Sequence, residues 1–103
     1  MKTYEGRREG AAVLVTVDGR PLNPRLDLWN HSPTGFEWGY GGSGPAQLAL
    51  ALLANALGDD DAAIRLHQEF KWKVVATLPG AGWTLTSEQI HTVLAGLQTL
   101  ERR

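Results

Sequence analysis

An α+β fold is predicted by three features of this 103-residue chain: a small N-terminal antiparallel sheet of two to three strands followed by three helices, the Leu/Ala-rich one central. β-Branched and turn-forming residues crowd the first quarter, apolar spacing becomes helical from Pro45 onward, and caps and stops divide the second half into three segments. A chain of this length, 43% hydrophobic and 20% charged, supports one core and hence a single globular domain over 1–103.

Ala11 to Asp18 is rich in Val and Thr and ends in Asp18-Gly19, a dipeptide suited to the positive φ angles of a tight hairpin. It reads as a strand, with Tyr4 to Arg8 and Leu26 to Trp29 as candidate neighbours. Pro21 and Pro24 confine any pairing in the second connection to an edge.

Gly44-Pro45 starts the first helix, because a proline in the first turn gives up only an N–H that would be unpaired, and Gly58 stops it. Leu48 and Leu52 lie on one side, Leu50, Leu53 and Leu57 nearly opposite, with Gln47 and Asn55 as the polar exceptions. Such a helix needs cover on most sides and is expected between the sheet and the other helices. The other reading has its alanine side, Ala51 and Ala54, meeting a second chain. Asp59 or Asp60 caps a second helix that sets Ala63, Leu66, His67, Phe70 and Val74 on one stripe, ended by Pro79-Gly80. Thr86 and Gln89 form a capping box for the third, which carries Ile90, Val93, Leu94, Leu97 and Leu100 on one face.

Composition removes several function classes. Without cysteine there is no disulfide, thiolate ligand or thiol nucleophile. The longest apolar run, Leu48 to Ala54, is far too short to span a bilayer, and Met1 to Glu5 lacks a signal-peptide apolar region, so a cytoplasmic protein without membrane contact is expected. Net charge is +2 over residues 1–25, −5 over 26–62 and +2 over 63–103. No segment carries the concentrated basic excess that displaces counterions from phosphates, which argues against nucleic acid as a partner.

The segment from Gly35 to Gly44 holds five of the twelve glycines, interleaved with Phe36, Trp38 and Tyr40, and runs into the apolar helix. Gly39 to Gly44 satisfies the G-x-G-x-x-G spacing, yet no strand precedes it, another helix follows, and no lysine stands after the glycines. Three readings stay open. The glycines permit positive φ and close packing at the turn into the helix while Trp38 and Tyr40 pack over the core. Alternatively, Gly41, Gly42, Ser43, Gly44 and Ala46 hold an anion or phosphate-bearing ligand at a helix N-terminus, or the loop binds a protein.

Phe36-Glu37-Trp38-Gly39-Tyr40-Gly41-Gly42-Ser43-Gly44-Pro45-Ala46-Gln47-Leu48-Ala49-Leu50-Ala51 resembles the signature of an uncharacterised family of short proteins from bacteria and their phages, a domain of unknown function. Flanking matches at Tyr4-x-Gly6-Arg7, Phe70-Lys71 and Leu78-Pro79 before Trp83 extend the resemblance over nearly the whole chain. It implies a cytoplasmic accessory protein of a mobile element and brings no activity, cofactor or catalytic residue.

His31, His67 and His91 are scattered without metal-ligand spacing, so no metal or cofactor is expected; His67 is expected hydrogen-bonded in or near the core. His31 beside Ser32 would need a geometry that sequence does not reveal to act as a dyad. Asp59-Asp60-Asp61 lacks the alternating ligands of a calcium loop and reads as a helix start. Trp72, between Lys71 and Lys73, either folds over Trp83 or anchors a contact. The resulting expectation is a non-catalytic accessory protein that binds a protein, or itself, through Trp38, Tyr40 and Trp72. The alternative is a phosphate-ligand or enzymatic domain built on the glycine stretch.

Overall fold

The computed structural model describes residues 1–101, with side chains through Leu97. Leu100, expected on the third helix's apolar face, lies outside the described side chains. The strands are β1 (Thr3–Glu9), β2 (Ala12–Val17), β3 (Arg20–Pro21) and β4 (Gly82–Thr86), and the helices α1 (Ser43–Leu57), α2 (Asp60–Lys73) and α3 (Ser87–Glu101). All pairings are antiparallel, in the order β3-β2-β1-β4.

Tyr4 stands opposite Val17 and Leu85, and Gly6 opposite Val15 and Trp83. Cross-strand partners share a face, so Tyr4, Gly6, Val13, Val15, Val17, Trp83 and Leu85 turn inward together. Asp18 and Gly19, at φ 50° and 82°, make the turn into β3, where Pro21 ends the edge after two residues.

The expected two to three strands become four, and they are not all N-terminal. β4 comes from between α2 and α3, where Trp83 and Leu85 point inward and Thr84 and Thr86 alternate with them. Leu26 to Trp29 is a turn rather than a strand: Arg25 sits at φ 56° and its carbonyl accepts the Leu28 and Trp29 N–H groups. α2 ends at Lys73, ahead of Pro79, because Val74 leaves helical geometry and a short 3₁₀ turn follows over Val75–Thr77.

α1 is buried continuously from Gly44 to Ala54, between the inner face of the sheet and α2 and α3. Ala51 and Ala54 are covered within the chain, as the central-helix reading requires. Asp59 caps α2 by accepting from the Ala62 N–H, and Thr86 and Gln89 exchange the two hydrogen bonds of the capping box. Tyr4, buried, donates to Asn55 Oδ1 at 2.7 Å; burial, with Asp18 nearby, pushes its phenol up to about 12. Among the described residues, no helix is long and apolar enough to cross a membrane.

Candidate functional site

The long connection between β3 and α1 is fastened by one polar side chain of the apolar helix. Gln47, fully buried, accepts the His31 and Ser32 N–H groups on Oε1 at 2.8 and 3.1 Å and donates from Nε2 to the Pro24 carbonyl at 2.6 Å. A buried amide that satisfies three backbone groups is a strong local constraint, since an unpaired one costs about 1–3 kcal/mol each.

That clasp sets His31 against α2, where its Nε2 lies 2.9 Å from His67 Nε2. His67 Nδ1 is 2.7 Å from the Ile64 carbonyl, which can only accept, so Nδ1 carries the proton. In the neutral pair His67 Nε2 is then the acceptor and His31 Nε2–H the donor. Burial lowers both imidazoles below the usual histidine range, assisted by the Lys71 charge. Trp29 stacks on His31 at 4.7 Å and meets His67 edge-on at 5.6 Å. Lys71 places its ammonium 4.5 Å above the Trp72 ring, and Trp72 lies on Gly41, where a Cβ would fall inside the indole. Tyr40 covers Gly42 in the same way. Trp29, Tyr40 and Trp72 are thus 48%, 52% and 61% exposed although each is seated on a neighbour.

Trp38, two residues from Tyr40, takes the opposite course. It is 2% exposed, so it does not belong to a partner surface as expected from sequence. Its indole N–H donates to the Pro79 carbonyl at 2.9 Å and its ring meets Trp83 at 89° and 5.6 Å. The chain reverses after it through Gly39, at φ 87°, whose N–H donates to the Val75 carbonyl. Arg8 lies 4.5 Å over Trp38, donates to both Glu37 carboxylate oxygens at 2.8 and 3.1 Å, and holds that carboxyl below its usual range. Trp72 does not fold over Trp83, because Trp83 is occupied by Gly6 and Trp38.

A cleft of about 470 Å³ opens at the N-terminus of α1, lined in part by Ser32, Thr34, Glu37, Tyr40, Ser43 and Gly44. Gly42 is the N-cap and supplies no side chain, and no acidic residue stands in the first turn. Of the expected ligand residues, Ser43 and Gly44 line this cleft, whereas Gly41 and Gly42 lie beneath aromatic rings. The Ala46 N–H is already committed to the Gly42 carbonyl. His31 faces His67 rather than Ser32, so no nucleophile–base pair forms there. Among the described residues no group of three His, Asp or Glu side chains could hold a metal ion.

Sequence reasoning missed Trp29, the His31–His67 pair and the Gln47 clasp. Gln47 was visible as a polar residue in an apolar helix, and His67 as one on an apolar stripe; their partners lie 16 and 36 residues away from them. No curated protein and no solved structure matches the chain. Residues 4–96 match a family of unknown function (DUF6166), a span that includes Trp29, Trp72 and every residue named for the cleft, and the chain belongs to that family.

Proposed function

We propose that the protein is a small recognition module that binds a protein partner through its exposed aromatic side chains, Trp29, Tyr40 and Trp72, acting together as one ridge. The observation that carries this reading is three large aromatic side chains held half exposed on fixed seats, by His31 and His67 for Trp29 and by glycine backbone for the other two. Aromatic side chains in preset orientations lose little conformational entropy on binding and dominate interface energetics. Lys73 follows Trp72 and is exposed, so the partner that fits presents an apolar anchor with a carboxylate beside it. A net charge of −1 argues against nucleic acid as the occupant. The resemblance of residues 36–51 to a signature of short bacterial and phage proteins is what supports a cytoplasmic, mobile-element setting.

The test is affinity capture from bacterial lysate with identification by mass spectrometry, comparing the unaltered chain with Trp72→Ala and Trp29→Ala, alongside sedimentation of the purified chain over a range of concentrations. One captured protein should lose at least about tenfold in affinity with either variant while melting stays within a few degrees. Equal capture by all three chains would remove the ridge from recognition. Concentration-dependent dimers abolished by Trp72→Ala would make a second copy the occupant in place of a foreign protein.

A further inference from the structure

The cleft at the start of α1 supports a separate inference. The N–H groups of Ser43 and Gly44, the first two helical residues, have no acceptor among the described residues, and Pro45 follows them with none to offer. The N-cap glycine and the absence of an acidic side chain in the first turn mean that α1 itself offers nothing against the positive end of its 15 residues, and the acidic residue beside it, Glu37, packs on Gly44 from the preceding loop. A second observation is independent of the helix. Ser32, only 8% exposed, lines the same cleft, and its hydroxyl makes no hydrogen bond among the described residues. Its backbone N–H is held by Gln47, so the side chain is oriented by the clasp rather than by a partner of its own. Thr34, Tyr40 and Ser43, which also carry hydroxyls, line the same space.

Glu37 is the one charged residue in the lining, and both of its oxygens are engaged by Arg8. Its charge is therefore balanced within the wall, and the field of α1 remains. We infer that this cleft binds the phosphate group of a small phosphomonoester, with the phosphate oxygens on the Ser43 and Gly44 amides and the Ser32 hydroxyl. A phosphate fills only part of about 470 Å³, and the remainder, lined by Val13 and Phe36, accommodates the organic portion.

The experiment is amide NMR titration of the full chain at constant ionic strength with inorganic phosphate, ribose 5-phosphate, a phosphoserine peptide and, as control, acetate. Ser43 and Gly44 resonances should shift and saturate with inorganic phosphate in the millimolar range. The arm with the tighter organic phosphate identifies the source: the sugar phosphate a metabolite, the peptide a modified protein. Ser43→Glu, which places a carboxylate over the same amides at an exposed position, should weaken phosphate binding at least about tenfold, and Ser32→Ala about threefold to tenfold. Unchanged spectra outside the cleft verify that each variant is folded; should Ser43→Glu not fold, Ser43→Pro removes one amide at a position where proline suits a helix. Unmoved Ser43 and Gly44 amides at tens of millimolar phosphate, an equal response to acetate, or full binding by the folded variants would overturn the assignment.

Discussion

Two indoles in this protein rest on glycines, Trp83 on Gly6 and Trp72 on Gly41, and they differ in what covers the other face. Trp83 is closed off by the core and by the perpendicular ring of Trp38, whereas Trp72, with only the Lys71 ammonium over its ring, remains largely exposed to solvent. At both places the missing Cβ lets a flat ring lie directly on backbone, which orients the ring. In the core that contact is part of close packing and carries stability. On the surface the same contact fixes a direction without closing a core, which suits a side chain held ready for a partner.

The largest expected effect tests the buried half of this comparison. In Gly6→Ala the new methyl would occupy the space of the Trp83 ring, which has no room to retreat, and destabilisation of about 3 kcal/mol is expected. A thermal melt should read this as a loss of more than about 10 °C. A loss of only a degree or two would mean that the sheet shifts to accept the methyl and that the contact is loose.

Acidification separates the halves differently, because the ridge holds titratable rings and the Trp38–Trp83 corner does not. His31 and His67 are both lowered from 6.5 in the native protein, so below that pH the unfolded chain takes up protons that the folded chain refuses. The stability this pair contributes is complete above about pH 6.5 and declines as pH falls through the lower native values. Melting midpoints between pH 7.5 and 5.5 should decrease, and His67→Gln should flatten the slope. A slope identical in that variant would remove the pair as its cause. The carboxyls of Glu37 and Asp27, both lowered by arginine partners, add their own decline only in the acid range below about 4.

Smaller effects come from the exposed half. Gly41→Ala displaces the outer end of Trp72, which can swing into solvent, and should cost less than about 1 kcal/mol in denaturant titration. Trp72→Ala should change stability by no more than about 0.5 kcal/mol while weakening capture of the partner at least about tenfold. If it melts as far down as Gly6→Ala, Trp72 is a structural residue and the distinction between the two indoles fails.

Much of the scaffold was legible because it rests on neighbouring residues. Val13, Val15 and Val17 alternate before Asp18-Gly19; Asp59 begins α2 and Thr86 with Gln89 begins α3; Leu48 to Leu53 permit no solvent-facing side. Capping, alternation and turn chemistry act over a few positions, so composition and spacing reveal them. β4 was the exception, five residues with a readable alternation whose pairing partner lies at the other end of the chain.

The site belongs to the other category. Trp38 and Tyr40 stand two residues apart in one motif, and nothing local says that the first fills the core while the second faces outward. Likewise, only the packing of the 22–42 segment against α1 and α2 brings His31 to His67, lends Gln47 its three partners and leaves Ser32 facing the cleft unpaired. The residues chose helix, strand and turn through short-range sterics and hydrogen bonding. Which rings are buried, which amides stay open and which imidazoles share a proton follow from surfaces that meet only after the chain has closed.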